Sequence, residues 1–409
     1  MKEVLIKVLN STRWSLLVFV ILFTILNSLL FLKLGIKVVD DSPRYLGYAD
    51  RIMEMGFFFD PHEFWYISYP LFMILVRMVH DSMEMVIISQ VLLSLGALVA
   101  IYLTSLKLFK NPVAAFLTGF LYMLFFEISI YNYYILCESF FVSMTCISLY
   151  FLVKWYKNEI TPANIILGTL VLVLTLFAKP TGIVLLAAII SYWIYRIFAS
   201  IHRPVLKICL GLGLLIPLFL LGNKMLTTFS FMNEYIRGDV IFGMFQYKNS
   251  PHYELLTVAR PDTLYIPDAQ HSPLVRLFLF VLFNPIYWGT LFLSKIFLFL
   301  FHIRPFWSTW HNLFSLIYLI PVYYFAMKAI RKKTVTGEES VFVMVYILFH
   351  AMIVGIMTED WDGRFLIPVL PVILIPAGLG ISHLFAENEK KPKLHFVTDN
   401  LENSFLPKF

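Results

Sequence analysis

Apolar runs of roughly 18–25 residues, each long enough to cross a bilayer as a helix, recur along most of this chain. They lie near 14–35, 82–106, 112–131, 134–156, 162–178, 182–199, 205–222, 311–329, 340–357 and 365–384, and so predict ten spans. Lysine and arginine gather in the short connections: Lys107 and Lys110, Lys154 and Lys157, Arg196, Arg203 and Lys207, then Arg331, Lys332 and Lys333. With the N-terminus inside, every one of these clusters falls on the cytosolic side, as the positive-inside rule asks. Residues 274–301 are apolar enough for another crossing, but Asn284-Pro285 interrupts them, and a full crossing would carry the Lys328–Lys333 cluster outside. Two interfacial or re-entrant helices are expected there instead.

The same topology sends two large segments outside, 36–81 and 223–310. The second carries Pro251, Pro261, Pro267 and Pro273 among mixed polar residues, an irregular loop feeding amphipathic helices. The expected fold is therefore an all-α polytopic membrane domain over 1–385 with outer-face amphipathic helices, followed by a basic cytosolic tail over 386–409.

Composition agrees with this reading. Of 409 residues 59% are hydrophobic and only 14% charged, against about a quarter charged in soluble proteins. The net charge of +6 does not point to nucleic acid, because no basic block with interleaved aromatics occurs. Cys137, Cys146 and Cys209 all sit in apolar segments without metal-ligand spacing, so no structural disulfide is expected. Lys2, Lys7 and Arg13 precede a run from Trp14 to Leu32 that exceeds a signal-peptide core, and that run is expected to remain as the first span. The sequon Asn10-Ser11-Thr12 falls on the cytosolic side and carries little weight.

Candidate chemistry begins just after the first span, in KVVDDSPRYLGYADRIMEMG over 37–56. Ser42 suits a helix cap, Pro43 its first position and Gly56 its end. Tyr45, Tyr48, Ala49, Ile52 and Met53 share one face, with Arg44, Asp50, Arg51 and Glu54 opposite, a helix suited to lie along the membrane surface. Asp40 and Asp41 then stand at its positive end. An ionised carboxylate there can take a proton from an attacking hydroxyl, general-base work worth about 10²–10⁴-fold. Capping plus interfacial solvation is the plainer role for the same pair.

Three more charges stand at outer ends of spans. Glu138 has apolar neighbours, where a carboxylate is expensive unless it serves a site. Lys179 occupies a tight outer turn beside a helix N-terminus that starts at Pro180, a combination suited to phosphate, although simple snorkelling fits too. Arg364 offers a planar fork that matches phosphate, and the same fork can pair with Glu359, Asp360 and Asp362. Asp360-Trp361-Asp362 also has spacing for a divalent ion but no further dedicated ligand, so a metal is weakly supported, no metal ligand is assigned and no cofactor is required.

Taken in order, these features resemble the GT-C glycosyltransferases, within them the branch of protein O-mannosyltransferases and lipid A aminoarabinose transferases. The acidic pair, Arg44-Tyr45 with Ala49, Gly56 and Tyr69-Pro70-Leu71 resemble that first outer loop. Glu138 matches its second acidic position, Lys179-Pro180-Thr181-Gly182 its Arg-Pro-x-Gly turn with lysine for arginine, and Arg364-Phe365-Leu366-Ile367-Pro368 its Arg-Tyr-x-x-Pro start of the last span. The matches are scattered over nearly the whole chain.

The resemblance implies transfer of a sugar, with inversion, from a polyprenyl-phosphate carrier to an extracytoplasmic lipid, glycan or protein acceptor. Asp41 or Asp40 would deprotonate the acceptor, and Glu138 would position acceptor or sugar. Lys179 and Arg364, with Arg304, would stabilise the departing phosphate, with Arg44 and Tyr45 in the same binding set. Residues 274–301 would offer the polyprenyl tail a groove. The implied location is a bacterial inner or plasma membrane, with the site on its outer face. The absence of a Trp-Trp-Asp motif argues against peptide N-glycosylation. An O-antigen polymerase or ligase would share the lipid carrier but usually carries more outer-loop arginines. A transporter or flippase predicts mid-membrane charges and repeated halves, whereas these charges gather at outer ends.

Overall fold

A computed structural model describes residues 11–60, 62–227 and 231–389 of the chain; Lys2, Lys7, Asn10 and the basic tail from Lys390 lie outside them. The described residues are helical, joined by turns and three isolated β-bridges. Among the described residues six helices are long and apolar enough to cross a membrane, or up to eight if two bent pairs each count as one span. They make this a multi-pass membrane protein.

The six are α1 (Thr12–Leu34), α4 (Met83–Phe109), α7 (Cys137–Tyr156), α9 (Ile183–Ser200, which continues a turn begun at Pro180), α14 (Thr309–Arg331) and α15 (Gly337–Ile356). Between the first two lie α2 (Ser42–Met55) and α3 (Ser68–Val79). The bent pairs are α5 (Pro112–Leu124) with α6 (Glu127–Ile130) and its following turn, at 58°, and α12 (Pro273–Phe283) with α13 (Pro285–Phe301), at 110°. The remaining helices are α8 (Pro162–Leu176), α10 (Pro204–Thr227), α11 (Phe231–Arg237) and α16 (Leu370–Glu389).

Among the described residues the count is six to eight against the expected ten, and all ten segments contain helix. At 1.5 Å per residue the 15-residue α8 covers only about 22 Å of a core about 30 Å thick. Helix α10, with 24 residues, is about 36 Å long, enough for the expected crossing; its interior Pro217 does not set it apart, because the span α14 carries Pro321. The last segment runs as turns through Pro368 and becomes helical only at Leu370. In 112–131 the break falls at Phe125–Phe126, and in 274–301 at Asn284-Pro285, where two helices meet.

Capping fixes many of the ends. Ser82, Asn111, Thr161 and Ser308 each accept a backbone N–H from the first turn of their helix, and Thr336 with Glu339 closes a reciprocal capping box. Helix α2 departs from expectation here. Ser42 is its first residue rather than its cap, and its hydroxyl accepts the Val39 N–H at 2.9 Å. Gly56 ends it at φ 80° as its position suggests.

The apolar face of α2 is not laid out along a surface. Tyr45, Tyr48, Ala49 and Ile52 are buried inside the protein, with Tyr45 against Tyr66 and Tyr69; the side chain of Met53 is outside the described set. That burial recruits α3, a helix the hydrophobic pattern did not separate, whose Arg77 reaches back to Asp50 of α2 at 2.7 Å.

At the centre, α4 packs on α7 and α5, while α16 lies against both α5 and α14. Residues 366–380 are buried without interruption. Such close approach needs small residues: a Cβ at Gly380 would overlap the carbonyl of Phe325, and one at Gly378 would meet Ala114 O and Thr118 Oγ1. On the flank α9 packs on α15 and α7 on α8.

The bundle has two unlike ends. Lys107 pairs with Glu159, Lys154 donates to Asn164 and Arg196 approaches Glu338, so the ends of α4, α7 and α9 and the starts of α8 and α15 meet at one end. Glu138 opens α7 and Lys179 precedes α9, which puts both at the other end, about 30 Å away along a 20-residue helix.

Candidate functional site

Four separate segments build one cluster of charge at that second end. After α1, Lys37 forms a backbone bridge to Tyr133 and Ile135, donating at 2.8 Å and accepting at 3.0 Å. The bridge brings Asp41, which precedes α2, beside Glu138 in the first turn of α7. Lys179 comes from the turn between α8 and α9, where Gly182 is needed because a Cβ would meet the carbonyls of Thr175 and Leu176. Arg364 follows Gly363, whose φ of 68° favours glycine.

Arg364 is the hub. Its Nη1 donates to Asp41 Oδ2 at 2.7 Å and lies 3.5 Å from Glu138 Oε1, while its Nε donates to Asp360 Oδ2 at 2.7 Å. Its backbone N–H donates to Asp362. Lys179 Nζ donates to Glu138 Oε1 at 2.8 Å and sits over the Phe365 ring at 4.8 Å. Arg44 Nη1 is 3.6 Å from Asp41, its Nε is 3.0 Å from Glu63, and its Nη2 donates to Tyr45 Oη at 3.2 Å. Tyr45 Oη also meets Cys137 Sγ at 3.3 Å.

These side chains open onto a cavity of about 310 Å³, a size suited to a small ligand. Its lining combines the charged Asp41, Arg44, Glu138, Lys179, Arg364 and Glu234 with the apolar Phe231, Phe242, Ile353, Val354 and Met357. Burial works against the Arg364 charge, but Glu138, Asp360, Asp362 and Asp41 outweigh it and hold the guanidinium well above its ordinary value. Lys179 is likewise held up, burial being outweighed by Glu138. Both remain cations at neutral pH.

Six of the eight sequence-derived candidates therefore converge: Asp41, Glu138, Lys179, Arg364, Arg44 and Tyr45 all line this cavity. Two do not. Asp40 is exposed and outside the cavity lining. Arg304 is buried elsewhere: its Nη2 meets Glu359 Oε1 at 2.8 Å, and the carbonyls of Leu298, Ile303 and Asp360 take its other N–H groups. Glu359 thus belongs to Arg304 and not to Arg364. The Asp360-Trp361-Asp362 carboxylates form no ligand pair, because Asp360 accepts from Arg364 and Trp361 and Asp362 accepts from the Arg364 backbone.

Several cavity residues escaped the sequence reading. His62, Tyr66 and Glu234 line the cavity, and Glu63 orients Arg44. Burial followed by the Arg44 charge lowers the His62 imidazole, while burial raises the Tyr66 hydroxyl to about 12. His62 and Glu63 stand with Asp60 in a short polar break between two aromatic runs, Phe57–Phe59 and Phe64–Tyr66, outside any predicted span. Their signal was proximity to the Tyr69-Pro70-Leu71 segment alone. A separate trio, Glu127, His302 and His311, offers metal-ligating atoms within 4.8 Å of one another. No family model and no curated protein matches the chain.

Proposed function

We propose that this protein is a membrane glycosyltransferase that takes a sugar from a polyprenyl-phosphate donor and passes it, with inversion, to an extracytoplasmic acceptor. The observation that carries the reading is the convergence of Asp41, Glu138, Lys179 and Arg364, from four distant segments, on one cavity at the end opposite the basic connections. Such a reaction needs a carboxylate for the acceptor proton and cations for the departing phosphate.

The cations are already paired, so the donor must compete for them. A phosphate entering beside Lys179 and Arg364 would draw them from Glu138 and Asp41, and Arg364 would release the Asp41 carboxylate as it turned. The acceptor oxygen then attacks the anomeric carbon from the face opposite the phosphate. The anomeric C–O bond breaks, its electron pair goes to the phosphate oxygen, and the acceptor proton goes to Asp41. Glu138, buried at 2% exposure, holds Lys179 in place between turnovers. The apolar part of the lining suits the first isoprene units of the carrier.

The test is to reconstitute the full chain in lipid and supply a panel of radiolabelled polyprenyl-phosphate sugars with membrane extracts as acceptor source. Transfer requires label to leave the carrier. Label that crosses the bilayer still attached to its carrier would mark a flippase, and label that stays in place with every donor would remove the reading.

A further inference from the structure

The trio Glu127, His302 and His311 lies outside the proposed transfer site, and nothing in that reaction uses it. Glu127 opens α6 at the bend after α5, His302 ends α13 with a left-handed φ of 50°, and His311 is in the first turn of α14. His302 Nε2 is 2.6 Å from Glu127 Oε2, and His311 Nε2 is 2.6 Å from Glu127 Oε1. Thus two imidazoles, 175 and 184 residues away in sequence, aim the same ring atom at the two oxygens of one carboxylate.

Aromatic packing sets the rings. Trp307 stacks on His311 with centroids 4.2 Å apart and planes within 4°, and His302 is held edge-on by Trp307 at 5.1 Å and Phe125 at 5.6 Å. His302 is fully buried and Glu127 nearly so, whereas the His311 side chain is 30% exposed. Two neutral rings satisfy this arrangement only if both carry their proton on Nε2. The two Nε2 atoms and the carboxylate thus converge on one point where a divalent ion could sit.

We propose that Glu127, His302 and His311 form a binding site for one divalent transition-metal ion of the zinc class. Two imidazoles and a carboxylate suit zinc and its neighbours and disfavour magnesium and calcium, which take oxygen ligands. Tetrahedral zinc with bonds of about 2.0–2.1 Å sets its ligands about 3.3 Å apart. The two N–O separations of 2.6 Å would lengthen by about 0.7 Å, all three ligand atoms already lying within 4.8 Å of one another, and the partly exposed His311 gives water a route to a fourth position. The ion would tie α6, α13 and α14 together behind Gly363, which has no room for a Cβ because His302 packs against it. It would thus brace the turn that presents Arg364. The ion is a positioning element, and its presence does not depend on the transferase reading.

The test uses the tag-free full chain in detergent, with Zn2+ and Co2+ as the probes. Protein purified in metal-free buffer, stripped with a chelator and reloaded is expected to hold one equivalent of Zn2+ per chain by elemental analysis. Reloading with Co2+ should give the intense visible bands of a tetrahedral N/O site. His311→Ala, the half-exposed ligand and so the variant least disturbing to the core, should weaken Zn2+ binding by about tenfold or more. Glu127→Gln should do the same. A wild-type chain with no stoichiometric Zn2+ and no Co2+ bands would leave only a hydrogen-bonded trio and overturn the proposal. So would a folded His311→Ala variant that binds Zn2+ as tightly as wild type.

Discussion

Arg304 and Arg364 are fed by the same short turn, yet they are opposite kinds of arginine. All five guanidinium N–H bonds of Arg304 have acceptors, four of them going to three backbone carbonyls, and its one carboxylate partner, Glu359, is as buried as it is. Arg364 instead faces four carboxylates, Asp41, Glu138, Asp360 and Asp362, and keeps 18% of its side chain exposed at a cavity. A closed one-to-one pair has nothing to exchange. A cation oversupplied with anions can give one up to an incoming phosphate, so the second arrangement suits a site and the first suits architecture.

The comparison can be broken most forcefully at Arg304. Arg304→Met leaves Glu359 as a lone buried charge and should cost about 3–5 kcal/mol, read as a large fall in thermal stability in detergent. Adding Glu359→Gln should restore part of that loss. Arg364→Lys sharpens the other side: the fork becomes a point charge, and transfer should fall about 10²-fold while the melting temperature stays near wild type. If both arginine changes act on stability alone, the distinction collapses.

Gly182→Ala should act between these extremes. Its Cβ would press on two backbone carbonyls, an overpacking cost of about 1–3 kcal/mol, and would displace Lys179 from Glu138, so a rise in the donor concentration needed for half-maximal transfer should accompany the lower melting point. The smallest effect is expected at His62. Its lowered pKa means the folded protein binds that proton less readily than the unfolded chain. Its contribution is present above the unfolded value of about 6.5 and is lost as pH falls through the lowered folded value. His62→Asn should therefore flatten the acid side of the stability profile, whereas an unchanged difference between the two curves from pH 7 to 5 would contradict the assignment.

What could be read from the sequence followed from contrast. Glu138 stood out because apolar residues flank it, Lys179 because it is a cation in a tight outer turn before Pro180, and Asp41 because an amphipathic pattern begins beside it. The structure brings these side chains together, although nothing local to any one of them shows the others. Arg304 was misplaced for the same reason: a lone arginine after an apolar helix looks alike whether its donors face a cavity or carbonyls. Helix α3 stayed hidden because its Tyr69-Pro70-Leu71 reads as a loop motif, yet Pro70 is tolerated in a first turn. The span count differed where α8 is short and where apolar runs bend at a break, features that hydropathy alone does not register. Glu127, His302 and His311 had no mutual spacing to reveal them, since their proximity arises only from the bend after α5 and the turn between α13 and α14.

Asp40 and Asp41 offer the most direct test, because they are adjacent in sequence and differ in place: Asp41 meets Arg364 at the cavity and Asp40 is exposed. With a donor that the wild type uses, the measurement is the initial rate of sugar release from its polyprenyl phosphate by purified Asp40→Asn and Asp41→Asn variants. The account predicts a near-normal rate for Asp40→Asn and a loss of about 10²–10⁴-fold for Asp41→Asn. A well-folded Asp41→Asn variant that transfers at the wild-type rate would contradict it.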